Sequence, residues 1–159
     1  MLAAYTVWYV LYDLWLLPDG RLDAWVSQSV ASVSGGLLSL LGLEVTVAER
    51  TVALSASAGV KIVNGCNGLS TIGLFVGFVL AYPGRAWRRL AFVPLGIAVI
   101  CTSNVVRIVV LAVTQRHWPP MFESLHEFGL TTIFYAVVFG LWVLWARYGG
   151  ASESTVASA

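Results

Sequence analysis

The sequence predicts an all-α polytopic membrane protein, a helical bundle of about four transmembrane helices. Of its 159 residues, 58% are hydrophobic and 11% are charged, whereas a soluble globular domain carries about 25% charged residues. The mean hydropathy is +0.83, and the apolar residues gather into runs that approach or exceed the length of a spanning helix. An amphipathic outer-face helix and a short extended segment complete the predicted fold.

Four apolar runs supply the predicted spans: residues 1–17, 69–82, 90–113 and 128–146. The first run lacks a basic leader region and a small-residue cleavage site, so we interpret it as an uncleaved span and not as a signal peptide. Residues 1–148 are expected to form a single integral membrane domain. Residues 149–159 are small and polar, and we expect them to form a disordered tail.

Two segments between the first and second runs have other patterns. In residues 24–41, apolar side chains recur at helical spacing while serines and a Gly35–Gly36 pair break the apolar surface. This pattern favours an amphipathic helix on the membrane surface or against other helices, with a full span as the alternative. Residues 44–63 alternate imperfectly between apolar and polar side chains, which indicates short strands or a hairpin.

The orientation of the spans follows from the turn between the second and third runs. This turn holds three arginines, Arg85, Arg88 and Arg89, and the positive-inside rule places such a short basic loop in the cytoplasm. The start of the second span and the end of the third then share the outer face. A polar loop at residues 114–127 is expected to join the third and fourth spans there.

Composition excludes several classes of function. The net charge of +1 gives no electrostatic footprint for nucleic acid. The two cysteines, Cys66 and Cys101, form no disulfide framework, and no paired Cys/His spacing indicates a zinc site. Cys101 lies in an unbroken apolar run, where inert packing is expected. The sequence therefore implies no cofactor.

Cys66 lies in a turn with the sequence Val-Asn-Gly-Cys-Asn-Gly-Leu, which runs directly into the second span. Its glycines let the backbone bend, and small polar neighbours leave the sulfur accessible. If Asn64 or Asn67 caps the following helix, Cys66 lies at the positive end, where a thiolate nucleophile is favoured. A single cysteine is more often a small buried hydrophobic residue than a nucleophile. Other residues of the chain are therefore needed to choose between these two roles.

The third span carries an asparagine and an arginine on one face. Asn104 and Arg107 are three residues apart, which places them about 5–6 Å apart at Cβ on a helix. An arginine in mid-bilayer costs about 2.5–3.5 kcal/mol on insertion scales. Snorkelling to the interface would explain Arg107 alone, but not an asparagine one turn deeper on the same face. The pair therefore predicts a functional site inside the bundle.

A histidine completes the set at the start of the fourth span. His126 is followed by Glu127, which could orient the histidine or cap the helix, with capping favoured. His117 competes with His126, but its proline-rich surroundings indicate a loop at the headgroup level. A thiol, a guanidinium and an imidazole at the outer ends of three spans suit acyl transfer. The thiolate attacks a carbonyl, the imidazole transfers the proton, and the cation stabilises negative charge.

The Cys66-Asn67-Gly68 turn, the Asn104-Val105-Val106-Arg107 run and His126, in this order, resemble the exosortase/archaeosortase family over residues 41–147. The resemblance implies a membrane cysteine peptidase or transpeptidase. Cys66 would be its nucleophile, Arg107 its catalytic cation and His126 its proton-transfer residue. We expect a supporting or substrate-binding role for five further residues: Asn64, Asn67, Gly68, Asn104 and Glu127.

The family resemblance also implies the partners. The substrates would be membrane-anchored proteins whose C-terminal sorting signal consists of a short motif, a spanning helix and a basic cluster. Many members have more N-terminal spans than this compact chain. Whether it acts alone, with a partner subunit or as a homo-oligomer therefore stays open. The expected location is the cytoplasmic membrane, with the active site at the extracytoplasmic face.

A non-enzymatic interpretation competes with the peptidase. The chain could be a membrane assembly or transport component in which Asn104 and Arg107 bind an anionic substrate or a lipid headgroup. Reactivity and loss of function at Cys66 would separate the two interpretations. Redox chemistry is a third class, which two cysteines far apart in sequence support poorly.

Overall fold

The computed structural model describes Thr6 and residues 20–55 and 57–149. Apart from Thr6, the predicted first span lies outside the described residues, as do residues 150–159 of the predicted tail. In chain order, the described elements are α1 (Arg21–Leu40), β1 (Val45–Ala48), β2 (Thr51–Leu54), β3 (Val60–Lys61), α2 (Leu69–Ala81), α3 (Ala86–His117), α4 (Pro119–Ser124), a π-helical turn (Leu125–Gly129) and α5 (Leu130–Tyr148).

Helix α3 forms the centre of the described structure. It contacts α1, α2, α4 and α5 as well as strands β2 and β3. Its 32 residues extend about 48 Å at 1.5 Å per residue, more than the hydrocarbon thickness of about 30 Å. The 30-residue helical stretch Pro119–Tyr148 is also long and apolar enough to cross a membrane. The third and fourth predicted spans are thereby confirmed as helices of membrane length.

Helix α2 coincides with the predicted second span but is short. It has 13 residues, or about 20 Å of helix, and a span needs about 20 residues. It begins after Gly68, whose φ of 83° is left-handed, and it ends at Tyr82, which is extended because a helical residue before Pro83 would clash with the proline ring. The count of four spans is therefore not confirmed within the described residues.

Helix α1 and a small antiparallel sheet occupy the two segments that lie between the first and second predicted spans. The strands form an antiparallel sheet in the order β1-β2-β3, with Val45 opposite Leu54 and Val52 opposite Val60. The sheet, α1 and α3 enclose the sheet-side core, which consists of Val30, Ala31, Leu38, Val52, Leu54, Val60, Ile62, Ile108, Leu111 and Ala112. The structure shows that α1 is a helix; its amphipathic character and its position on a membrane surface are not confirmed and stay predictions.

The predicted loop at residues 114–127 is wrong, because the chain is helical through most of it. Helix α3 continues to His117, the helical conformation is interrupted at Trp118, and α4 begins with Pro119 and Pro120. Proline is favoured in the first turn of a helix, where its missing N–H has no intrahelical partner and its fixed φ is already helical. The two prolines that indicated a loop therefore start a helix.

A second core lies toward the arginine-rich turn between α2 and α3. This aromatic core consists of Phe75, Val79, Ile100, Phe134, Val138, Leu141 and Trp145. Rings stack across helices, with centroids 5.0 Å apart for Phe78 and Trp142 and 5.1 Å apart for Phe92 and Trp145. Gly96 of α3 faces the Phe75 ring directly, so α2 and α3 pack closely. Along α3, Asn104 and Arg107 lie between the aromatic core and the sheet-side core.

Candidate active site

Cys66 lies in a tight turn between β3 and α2. Its N–H donates to the Val63 carbonyl at 2.9 Å, and both Gly65 and Gly68 have positive φ angles, of 89° and 83°. A residue with a Cβ rarely adopts that conformation, so the glycines are what allow the turn. Cys66 is half-buried and packs against the sheet-side core. The turn therefore leaves Cys66 partly exposed.

The N-cap residue of α2 is Gly68, and the side chain of Asn67, one residue earlier, binds the start of the helix. Asn67 Oδ1 accepts the first helical N–H, that of Leu69, at 3.0 Å. Its Nδ2 donates to Asp23 Oδ1 at 2.7 Å and lies 3.4 Å from Ser27 Oγ. Asn64 does not cap; its exposed side chain accepts a hydrogen bond from Arg50 at 2.9 Å. Asn67 therefore joins the Cys66 turn to α1.

Asn104 holds the Cys66 turn from the side of α3. Its Nδ2 donates to the main-chain carbonyl of Cys66 at 3.1 Å, and its side chain is 1% exposed. Gly68 lies against the same amide, where an added Cβ would come within 3.6 Å of Nδ2. Asn104, predicted from its position in a span, thus contacts the backbone of the candidate nucleophile.

Arg107 lies one helical turn further along α3 and points into the bundle. It is 8% exposed, its Nη2 donates to Thr131 Oγ1 at 3.2 Å, and its Cζ lies 6.0 Å from the centroid of the Phe134 ring. The Thr131 hydroxyl donates in turn to the main-chain carbonyl of His126 at 2.7 Å. This inward orientation is the opposite of snorkelling and is consistent with a functional cation.

His126 lies in a π-helical turn at the junction of α4 and α5. The N–H of Leu130 bonds back five residues to the Leu125 carbonyl, and such turns occur frequently at functional sites. The His126 ring is half-buried and stacks on Phe122, with centroids 5.8 Å apart and planes at 2°. Glu127 is exposed on the same turn.

One turn of α3 therefore connects the three predicted catalytic residues. Asn104 binds the Cys66 carbonyl, and Arg107 reaches the His126 carbonyl through Thr131. In the part of the chain that the structure describes, no hydrogen bond directly joins the thiol, the guanidinium and the imidazole. Within residues 20–55 and 57–149, Asn104 Oδ1 and Arg107 Nε are buried and make no hydrogen bond to any other described residue.

A comparison with protein families matches residues 2–144 to the model described as Transmembrane exosortase (Exosortase_EpsH). The chain belongs to the transmembrane exosortase family. No curated protein and no solved structure matches it. Family membership makes the chain an integral membrane protein and indicates a membrane-embedded enzyme that processes sorting signals.

Three polar residues of this exosortase site are not predicted from the sequence, and only the folded structure brings them to the site. Asp23 and Ser27 come from α1, and Thr131 comes from α5. Thr131 could have been noticed in the sequence, because it and Thr132 form a polar pair in an apolar span. No sequence signal connects Asp23 to Asn67. Among residues 20–55 and 57–149, no cluster of three or more His, Cys, Asp or Glu side chains could hold a metal ion.

Proposed function

We propose that this exosortase is a cysteine peptidase or transpeptidase that cleaves membrane-anchored proteins at a C-terminal sorting signal. The observation that carries the proposal is the turn of α3 between Asn104 and Arg107. That turn binds the Cys66 carbonyl on one side and reaches the His126 carbonyl on the other. The family match supports the reaction class, and the residues supply the chemistry.

The chemistry proceeds in two acyl transfers. The Cys66 thiol passes its proton to the His126 imidazole as sulfur attacks the scissile carbonyl carbon, and the carbonyl oxygen becomes an oxyanion. Arg107 stabilises this oxyanion through the positive charge and the N–H donors of its guanidinium. The imidazolium then protonates the leaving amine as the C–N bond breaks. Water or an acceptor nucleophile attacks the resulting thioester and releases Cys66.

The depth of the site along α3 suits a bond next to a spanning helix. Asn104 and Arg107 lie about 27 Å and about 32 Å from Ala86 at 1.5 Å per residue, close to the hydrocarbon thickness of about 30 Å. If the arginine-rich turn lies at one membrane–water interface, Asn104 and Arg107 therefore lie near the opposite membrane–water interface. Because the positive-inside rule assigns that turn to the cytoplasm, we place the active site at the extracytoplasmic face of the cytoplasmic membrane.

The test uses an anchored reporter, a tagged secreted domain fused to a candidate sorting signal encoded in the same genome. Membranes with Cys66→Ala should accumulate full-length reporter at normal enzyme levels, whereas Cys101→Ala should process it normally. Impermeant maleimide should label Cys66 from the outside and stop processing. Normal processing by Cys66→Ala would exclude the cysteine mechanism. The site would then be the non-catalytic anion- or headgroup-binding site around Asn104 and Arg107.

A further inference from the structure

The buried carboxylate of Asp23 accepts a hydrogen bond from Asn67, the residue that follows Cys66 in the sequence. Asp23, in the first turn of α1, is 0% exposed, and its Oδ1 accepts the Asn67 amide at 2.7 Å. Removing a carboxylate from water costs several kcal/mol unless hydrogen bonds satisfy it. The short contact with the Asn67 amide N–H supplies such a hydrogen bond.

Asp23 fixes which way the Asn67 amide points. The donor end of the amide faces Asp23 and Ser27, and its oxygen therefore faces the Leu69 N–H. With the amide reversed, its oxygen would lie against the carboxylate and its NH₂ group against an N–H donor. Both contacts are repulsive, so the carboxylate selects the orientation in which Asn67 Oδ1 accepts the Leu69 N–H.

The Cys66 turn is consequently held from two helices. Asn104 on α3 binds the Cys66 carbonyl, and Asp23 on α1 anchors Asn67, the next residue. We propose that Asp23 is a positioning residue for the exosortase reaction, which holds Cys66 in register with Arg107 by acting through Asn67. This inference rests on the proposed function. It makes α1 part of the catalytic apparatus, although Asp23 itself touches no substrate.

The test exchanges the two partners. Asn67→Asp alone places two carboxylates in contact and should lower kcat for the anchored reporter by about tenfold or more, because the hydrogen bond that orients residue 67 is lost. KM should change by less than about twofold, because substrate binding is not involved. Adding Asp23→Asn to this variant restores one carboxylate, at position 67, and one amide, at position 23. The exchanged side chains have nearly the same size and shape as the originals. The double variant should recover kcat to within about threefold of the wild type.

Alanine variants supply a second measurement. Asp23→Ala should lower kcat, and its combination with Asn67→Ala should be no slower than Asn67→Ala alone, because Asp23 acts through Asn67. The matched control is Glu44→Ala. Glu44 also accepts a side-chain hydrogen bond, from Ser55 at 2.8 Å, but it is exposed, and its loss should leave kcat unchanged.

The rate of Cys66 alkylation by N-ethylmaleimide, in a Cys101→Ala background, separates this inference from the proposed function. The rate should fall in Asn67→Asp and recover in the exchanged pair whether or not the reporter is a substrate. The positioning role is overturned if the exchanged pair stays as slow as Asn67→Asp, or if Asp23→Ala keeps the wild-type kcat. Normal reporter processing by Cys66→Ala would instead reject the proposed function.

Discussion

The two ends of the described helix bundle bury different kinds of side chain. Toward the arginine-rich turn, the aromatic core packs rings and branched aliphatic chains, and Phe75 is 0% exposed. The arginines there bind main-chain carbonyls. Arg88 donates to Tyr148 at 2.6 Å and Arg89 to Tyr82 at 2.9 Å. Both carbonyls lie at helix C-termini, where cations are favourable.

Toward the opposite end, between the aromatic core and the sheet-side core, polar side chains are buried around the Cys66 turn: Asp23, Ser27, Asn67, Asn104 and Arg107. Buried polar groups cost free energy unless they are hydrogen-bonded, and ionisable groups inside membrane segments mark functional sites. We propose that the aromatic end contributes mainly to stability and that the polar end carries out the chemistry. Variants at the two ends should therefore separate protein abundance from activity per molecule.

The largest loss of activity is expected for His126→Ala. Removing a general acid–base residue should lower reporter processing about 10²–10⁴-fold without changing abundance, because the half-buried ring is no core residue. His117→Ala is the matched control. His117 is exposed at the end of α3, with Nδ1 3.1 Å from the Val113 carbonyl oxygen. Equal effects of the two variants would remove His126 from the mechanism.

The second-largest loss of activity is expected for Arg107→Lys. Lysine keeps the positive charge but loses the planar set of N–H donors, and losing one oxyanion donor costs about 10²–10³-fold in kcat. We expect a loss of that order by steady-state reporter kinetics. Arg116→Lys is the control, because the exposed Arg116 donates to the Ser55 carbonyl at 3.1 Å. Full activity of Arg107→Lys would reduce Arg107 to a generic charge.

Phe75→Ala tests the aromatic end. Deleting a fully buried ring should lower the free energy of unfolding by about 3–5 kcal/mol, so less protein should accumulate, while activity per molecule is kept. Phe139→Ala, at a position 63% exposed, should leave abundance unchanged. The measurement is reporter processing divided by the amount of enzyme in the membrane. Normal abundance with low specific activity would break the division between the two ends.

Thr131→Val should give the smallest effect. Valine keeps the shape of threonine but removes the hydroxyl that joins Arg107 to His126, and a net hydrogen bond is worth about 0.5–1.5 kcal/mol. We expect kcat to fall about 2–12-fold, with KM unchanged. Thr132→Val is the neighbouring control, because Thr132 is exposed. Indistinguishable kinetics of the two variants would show that the bridge has no role.

The sequence predicts those parts of the structure that depend on local pattern. Apolar runs gave the membrane-length helices, and an arginine three residues after an asparagine gave the inward-facing pair Asn104 and Arg107. The Asp23–Asn67 contact depends on how α1 packs against the turn, 44 residues away along the chain, and no local pattern encodes it. The π-helical turn at His126 likewise depends on tertiary packing, whereas the helix that starts at Pro119 follows from the preference of proline for the first helical turn.

The most direct test is detection of a thioester on Cys66. Membranes containing the wild-type enzyme and the anchored reporter are quenched in acid, and the Cys66 peptide is examined by mass spectrometry. We predict an adduct between the Cys66 sulfur and the new C-terminal carbonyl of the cleaved reporter, which hydroxylamine removes and Cys66→Ala lacks. Cleaved reporter without any Cys66 adduct, together with normal cleavage by Cys66→Ala, would contradict the account.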